Sequence, residues 1–343
     1  MAREQTIYSE LALGLGVLGF SAADVAELKK IENVEKSDMG VYENEHSKKA
    51  EAGEKMAIAG KEIRAFVIGS GTPKIELKWT GGEKIGSMEN AAKDLEIKGF
   101  APIRISVKES SNILINGSPV RVFELLPLGD FERGRGGDWY QYVAKAELDA
   151  YFQACGGKAF SGFDTVEEYY KNVKSAKRKP FSNHVSDLHK ADDPYACAAY
   201  RKLCEAVSER SAEIFNRNMA ATKANKNSAK RMELIFHHFF RINGVRYILA
   251  GTDGGEPFAV TLDDSRTWGS KYEFNDIVAF PKEAGQPEVV LKFFFKDKKT
   301  NKEFALDLKA EVRWSHGKFR GNPESKLYKQ WKFKEVPWAE RIL

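Results

Sequence analysis

Asp94, Ser106 and Lys108 have residue types and spacing that suit chemistry on phosphate groups. Asp94 opens a short run of strand-forming residues, and Ser106 and Lys108 lie two positions apart in the next run. Alternate residues of a strand point to one face, so Ser106 and Lys108 share a face and Asp94 joins them if the strands are neighbours. A carboxylate with nearby oxygens holds a hard cation, and an ammonium orients or deprotonates an attacking water. The three residues therefore predict phosphodiester hydrolysis.

The elements that must position these residues are predicted from hydrophobic periodicity. Apolar residues spaced for helices occupy residues 8–18, the stretch after Ser21, and residues 43–59, where Gly53 and Ala57 allow close approach of another element. Short β-branched or alternating runs separated by Gly and Pro then predict strands at residues 63–68, 74–79, 94–97 and 103–107. Helices followed by such strands indicate an α/β or α+β core.

The rest of the chain predicts a helical middle and a β-rich end. Residues 138–221 are helical in pattern, and the longest helix begins near Pro194 and runs to about Met219. The polar tract 223–231 predicts a linker. Two hairpins are expected beyond it, one with strands at residues 236–242 and 245–250 turning at Asn243-Gly244, and one joining residues 289–295 to 304–314.

At Lys93-Asp94-Leu95-Glu96-Ile97 and Ile105-Ser106-Val107-Lys108 the sequence resembles the PD-(D/E)XK nuclease superfamily, and within it the type II restriction endonucleases. The resemblance covers roughly residues 43–118. It implies that Asp94 is a metal-binding acid and that Lys108 is the catalytic lysine. Ser106 stands where the family usually has Asp or Glu, so a third ligand would be Glu109 or a backbone carbonyl.

The resemblance also implies a fold, a cofactor and partners. The expected fold class is α+β, an α/β nuclease core with a mixed β-sheet flanked by helices, and the expected cofactor is Mg2+. An acid from the preceding helix, Glu51 or Glu54, would join the metal site, with Glu54 preferred. The expected segments are N-terminal helices at 1–42, a catalytic core at 43–126, a helical region at 127–222 and a DNA-contacting region at 231–343. The expected function is Mg2+-dependent, sequence-specific cleavage of double-stranded DNA by a homodimer or by a monomer that acts twice.

Two other segments match the acid-x-Lys spacing. Glu76-Leu77-Lys78 is not preceded by a short strand opened by Asp, and Asp307-Leu308-Lys309 belongs to a run that alternates charged and apolar residues. That alternation is typical of a strand with one solvated face. Both segments are weaker candidates than Asp94, Ser106 and Lys108.

The C-terminal segment 311–334 concentrates the positive charge of the chain. It holds seven of the 54 basic residues and two of the 49 acidic ones, so the remainder is balanced. Its aromatic residues, interleaved with the basic ones, would suit phosphate contacts combined with stacking. The expected DNA contacts are Arg313, His316, Lys318, Arg320 and Lys326. A glycine-rich loop at 129–137 would add Arg133 and Arg135.

The remaining composition constrains the cell compartment and leaves two other functions open. Three cysteines without a C-x-x-C pair favour a reducing, cytoplasmic setting, and no apolar run reaches the ~18 residues of a membrane span. Residues 11–20 are interpreted as a buried first helix rather than a signal peptide. The alternatives to a nuclease are a non-catalytic DNA- or RNA-binding protein that uses segment 311–334, and an enzyme acting on a phosphate-rich small molecule.

Overall fold

The structure is a computed structural model that describes residues 2–69, 74–80, 94–98, 102–109, 113–124, 139–240, 242, 244, 246–282 and 285–343. The α-helices in these ranges are α1 Ala2–Leu18, α2 Lys36–Gly69, α3 Pro119–Phe123, α4 Trp139–Ala154, α5 Gly157–Ser161, α6 Val166–Asn172, α7 Lys179–Lys190, α8 Pro194–Lys223, α9 Ser228–Phe240 and α10 Ser265–Lys271. Short 3-10 helices cover Val25–Lys30, Ser175–Arg178 and Phe333–Glu335.

The strands are β1 Leu77–Trp79, β2 Leu95–Ile97, β3 Ile103–Glu109, β4 Ile113–Gly117, β5 Tyr247–Asp253, β6 Glu256–Leu262, β7 Tyr272–Lys282, β8 Glu288–Asp297, β9 Glu303–Trp314, β10 Pro323–Lys329 and β11 Ala339–Arg341. They form two sheets, ordered β1-β2-β3-β5-β6-β11 and β4-β10-β9-β8-β7. In the first sheet β3 runs parallel to β5, while its other neighbouring pairs are antiparallel. The predicted α+β class with a mixed sheet is therefore confirmed.

The chain divides into two compact units. Unit 1 comprises Met1–Asn112, Arg241–Lys271 and Trp331–Leu343, and unit 2 comprises Ile113–Phe240 and Tyr272–Gln330. Each unit contains one of the two sheets. The units cut across the four consecutive segments expected from the sequence, because β5, β6 and β11 complete the sheet that β1 to β3 begin.

Unit 1 is built on α1 and α2, which pack against each other and cover the six-stranded sheet. Its core includes Leu11, Leu13 and Leu15 of α1 and the strand residues Leu95 and Ile105, all fully buried. The helices approach closely because glycines lie where they cross. A Cβ at Gly16 would come within 2.0 Å of the Ala57 carbonyl oxygen, and one at Gly60 within 2.3 Å of the Leu13 carbonyl oxygen.

The Gly60→Ala variant is expected to destabilise unit 1 by about 1–3 kcal/mol, since the added methyl forces α1 and α2 apart. The matched control is Gly40→Ala in the same helix, where no heavy atom lies within 4 Å of the added methyl. Urea unfolding of both variants measures the difference. Equal or greater stability of Gly60→Ala would contradict the described packing.

Unit 2 packs helices on the second sheet. Its longest helix, α8, begins at Pro194, and the Asp193 side chain accepts hydrogen bonds from the Tyr195 and Ala196 N–H groups at 3.1 and 2.8 Å. The predicted start of this helix is confirmed, and it continues four residues beyond the predicted end at Met219. The predicted pairing of residues 289–295 with 304–314 is also confirmed, as the β8–β9 hairpin.

Two strand predictions are wrong. Residues 63–68 form the last turns of α2, in which Ile63 and Val67 are four residues apart and both buried. Residues 236–240 end α9, because Phe236, Phe239 and Phe240 lie three and four residues apart and enter the core together. The hairpin expected at Asn243-Gly244 is therefore wrong. The β5–β6 hairpin instead turns at Gly254 and Gly255, which have φ of 65° and 83°.

The first helix is buried as predicted. Leu11, Leu13, Leu15 and Val17 of α1 are fully shielded from solvent by the rest of unit 1. Within the described ranges, none of the helices combines the length and the apolar character needed to cross a membrane.

Candidate active site

Asp94 lies immediately before β2 and is fixed by the neighbouring strand β3. Its Oδ2 accepts hydrogen bonds from the Val107 N–H at 2.6 Å and from Ser106 Oγ at 3.2 Å. Its backbone N–H donates to the Ile105 carbonyl at 2.9 Å. The predicted adjacency of the two strands is confirmed, with Leu95 opposite Ile105 in antiparallel register. Asp94 and Ser106 are therefore in direct contact.

Ser106 and Lys108 project from β3, the strand next to β5 in the sheet. Ser106 is 5% exposed, and Lys108 is half-buried. The intervening Val107 packs against the core of unit 1 on the opposite face, as predicted. Ser106, in the position where the nuclease family usually has an acid, donates a hydrogen bond to Asp94. Its hydroxyl thus orients the carboxylate rather than adding a second charge.

Gly251 of β5 determines how closely that strand approaches Lys108. The two residues are partners in the parallel β3–β5 pairing, and Gly251 has φ of 142°. A Cβ at this position would lie 1.8 Å from the Lys108 carbonyl oxygen. Only glycine satisfies both the backbone conformation and the close approach.

Glu10 of α1 is a second acid that interacts electrostatically with Asp94, and it lies outside the predicted set of site residues. It is 5% exposed, and its Oε2 accepts a hydrogen bond from the Trp79 indole Nε1 at 2.6 Å. Burial is the largest cause that raises the pKa of Glu10, to about 8, and the nearby charge of Asp94 raises it further. The Trp79 hydrogen bond and the charge of Lys108 oppose this rise. Glu10 therefore interacts electrostatically with both predicted site residues.

The sequence contains a signal that could have identified Glu10. It is the only charged residue between Glu4 and Asp24, and the apolar run 11–18 follows it directly. A carboxylate in such a helix is buried with it, and buried carboxylates are usually paired or functional.

Glu54, the expected helix acid, has other partners. Its Oε2 accepts a hydrogen bond from the Ala22 N–H at 3.0 Å, and its Oε1 lies 3.5 Å from Lys61 Nζ. Glu51 is on the exposed surface of α2, with a side chain 87% exposed, beside Lys55. Among these three helix acids, Glu10 is the one whose pKa is shifted by the charges of Asp94 and Lys108.

The residues present fit a magnesium ion, although the donor set is small. Mg2+ is commonly held by one or two protein carboxylates, with waters and substrate phosphates as its other ligands. Glu10 and Asp94 supply two carboxylates whose mutual repulsion a cation would relieve. Within the described part of the chain there is no cluster of three or more His, Cys, Asp and Glu side chains suited to a metal. The side chain of Glu109 lies outside the described residues.

The two weaker acid-x-Lys segments have local ion-pair partners. Exposed Glu76 binds Lys74 at 2.7 Å. In β9, Lys309 Nζ donates to Glu288 Oε1 at 2.8 Å, across to β8. The Lys74–Glu76 pair is solvent-exposed, whereas the Lys309–Glu288 pair is largely buried between β8 and β9. Glu76 and Lys309 thus both have ion-pair partners of their own.

The expected DNA contacts in segment 311–334 have diverse environments. Arg313 and Lys326 both lie near Glu324, at 3.1 and 3.7 Å, and Lys318 packs over the Tyr200 ring. His316 is exposed and Arg320 half-buried. Arg133 and Arg135 lie outside the described residues. Residues 311–330 of the segment belong to unit 2, and residues 331–334 belong to unit 1.

The aromatic residues of that segment are largely buried. Phe319 is fully buried, Phe333 is 4% exposed and Trp314 is 8% exposed. Trp314 stacks on Tyr140 at a centroid distance of 4.3 Å, and Phe333 stacks on Phe258 at 5.3 Å. The expectation that these three rings stack on nucleic acid bases is therefore wrong, because they belong to the cores of the units.

Glu10, Asp94, Ser106 and Lys108 are thus the chemically most distinctive cluster of unit 1. Comparison of the chain with protein-family models, with curated proteins and with solved structures gives no significant match.

Proposed function

We propose that unit 1 is a Mg2+-dependent endonuclease that hydrolyses phosphodiester bonds in double-stranded DNA, of the kind represented by type II restriction enzymes. The observation that carries the proposal is that Asp94 is hydrogen-bonded to β3 beside Lys108 and that buried Glu10 interacts electrostatically with both residues. Two carboxylates and an ammonium, carried by α1, the residue before β2 and β3, thus influence one another's charge. Their electrostatic coupling in a largely buried place distinguishes them from ordinary surface charges.

Each residue has a separate role in the proposed reaction. Asp94, oriented by Ser106 and the Val107 N–H, and Glu10, oriented by Trp79, would hold the magnesium ion. A bound magnesium ion supplies positive charge to the phosphate oxygens and lowers the pKa of a bound water. Lys108 orients the attacking water, or accepts its proton when the amine is neutral. Lys108 is half-buried, and its charge interacts with that of Glu10.

Incubation of the protein with a long unmethylated duplex DNA, with and without Mg2+, tests the proposal. We expect discrete fragments that require Mg2+, and we expect the Asp94→Asn variant to yield none. Asp307→Asn, which removes an acid from a weaker acid-x-Lys segment, is the matched control and should cleave like the wild type. Intact DNA in a retarded band would support the alternative of a non-catalytic binding protein. DNA that is neither cleaved nor retarded would exclude both.

The Gly251→Ala variant is expected to lose most of the DNA cleavage activity. The added methyl must displace the Lys108 carbonyl, and a displacement of about 1 Å at a catalytic group can cost about 100-fold in rate. The control is Gly244→Ala, where no heavy atom lies within 4 Å of the added methyl. Initial cleavage rates, with circular dichroism to verify folding, measure the effect. Wild-type activity in folded Gly251→Ala would show that the position of Lys108 is not critical.

A further inference from the structure

Unit 2 contains a pocket of about 370 Å3 beside the only cysteine of the chain that is not buried. The pocket is lined by residues of α7 and α8, which include His189, Cys197 and Cys204, and by Lys282 and Gly285. Cys155 and Cys204 are 1% and 3% exposed, and burial raises the pKa of each thiol to about 12. Cys197 is half-buried and faces the pocket. Cys204 also lines the pocket but is 3% exposed, so Cys197 is the thiol more accessible to a small molecule.

A histidine contacts the accessible thiol. Cys197 Sγ lies 3.7 Å from His189 Nδ1, and Tyr151 Oη lies 2.7 Å from His189 Nε2. When Nε2 carries the hydrogen and donates it to Tyr151, Nδ1 is an acceptor for the thiol proton. Burial and the charge of Lys318 lower the pKa of His189 while the charge of Asp193 opposes them, so the neutral ring that can accept that proton is favoured. This is the geometry of a cysteine activated by an adjacent base.

The charge around the pocket favours an anionic ligand. Arg201 and Lys282 line it, with Glu205 as the acid among the lining residues. Lys282 also pairs with Glu288 at 3.1 Å. Lys318 lies with its Nζ 4.4 Å from the centre of the Tyr200 ring, close enough for its charge to interact with all three thiols. A thiolate at Cys197 and carboxylates on a ligand would both be stabilised by these cations.

We propose that Cys197 is a thiol-exchange site and that its pocket takes a low-molecular-weight disulfide carrying carboxylates. The Cys197 thiol proton passes to His189 Nδ1, and the sulfur forms a bond to one sulfur of the disulfide. The S–S bond of the ligand breaks, and the released half leaves as a thiolate that takes up a proton. Cys197 is oxidised to a mixed disulfide while the ligand is reduced to one free thiol. This inference concerns unit 2 alone and does not depend on the proposed nuclease activity.

Intact-protein mass spectrometry with peptide mapping tests the proposal, using oxidised glutathione as the anionic probe and cystamine as the cationic control. Each rate is divided by the rate of the same probe with N-acetylcysteine, which removes differences in intrinsic reactivity. We expect a mixed disulfide at Cys197, formed faster with oxidised glutathione than with cystamine. Cys197→Ser should prevent it, and the matched control Cys204→Ser should not.

Two further variants test the roles of the surrounding residues. His189→Asn should lower the exchange rate at Cys197 by at least about tenfold, because the base is removed. Lys318→Met, which preserves packing on Tyr200, should reduce the preference for the anionic probe. Preferential modification of Cys155 or Cys204, or faster reaction with cystamine, would overturn the proposal. So would an unchanged rate in a His189→Asn variant that circular dichroism shows to be folded.

Discussion

Replacing Lys108 with methionine is expected to slow DNA cleavage by about 10²–10⁴-fold, the usual contribution of a positioned acid or base. Methionine retains the aliphatic length of the side chain and removes the ammonium. Loss of the ammonium takes away the group proposed to orient or deprotonate the attacking water. The measurement is the single-turnover cleavage rate at saturating Mg2+.

Lys78→Met is the matched control for this prediction. Lys78 lies in β1, opposite Glu96 of β2, and so belongs to the same sheet and to one of the weaker acid-x-Lys segments. The Lys78→Met variant should cleave DNA at close to the wild-type rate. Equal losses in the two variants would indicate a general effect of lost positive charge on DNA binding, and wild-type activity in Lys108→Met would contradict its catalytic role.

The second large effect concerns the stability of the metal-free protein. The pKa of Glu10 rises from 4.5 to about 8 on folding, mainly because the carboxyl is buried. Between these pH values the folded chain binds one more proton than the unfolded chain, so the free energy of unfolding falls as pH rises. The expected loss from pH 4.5 to pH 8 is on the order of 4 kcal/mol for this group. Below pH 4.5 the carboxyl is protonated in both the folded and the unfolded chain, so it no longer makes the free energy of unfolding depend on pH.

Glu10→Gln should remove this contribution, because glutamine has no proton to lose. Urea unfolding in the presence of EDTA at several pH values should show the variant gaining stability over the wild type as pH rises. Glu51→Gln, with an exposed side chain, is the control for removal of a helix acid. Parallel pH dependence in wild type and Glu10→Gln would contradict the burial of the Glu10 carboxyl.

The part of the site on β2 and β3 could be predicted because it depends on local geometry. Asp94, Ser106 and Lys108 lie within fifteen residues of one another, and strand periodicity alone places the last two on one face. The antiparallel pairing that brings Asp94 to Ser106 needs only a short connection between neighbouring strands. The structure confirms this adjacency.

Glu10 could not be assigned in the same way, because its place depends on how α1 packs on the sheet. That packing requires the close crossing of α1 and α2 at Gly16 and Gly60, far apart in sequence. Glu54 was expected from its position one helix before the strands, yet it binds the Ala22 N–H. Periodicity shows that both acids lie in helices, but it does not show which helix packs against β1 and β3, the strands that neighbour β2.

The errors in secondary structure have a related cause. Residues 63–68 contain β-branched residues that favour strands locally, but the tertiary packing of Ile63 and Val67 makes them part of α2. In segment 311–334 the alternation of basic and aromatic residues does not indicate which side chains are buried in the core. Strand β9 and the residues after it direct Trp314 and Phe319 into the core of unit 2.

We propose that Glu10, and not Glu54, completes the site of Asp94 and Lys108. The most direct test compares Mg2+-dependent DNA cleavage by Glu10→Gln and Glu54→Gln, with isothermal titration of Mg2+ as a second readout. We predict that Glu10→Gln loses both cleavage and Mg2+ binding while Glu54→Gln retains both. Loss of cleavage and Mg2+ binding in Glu54→Gln, with wild-type behaviour in Glu10→Gln, would contradict the proposed role of Glu10.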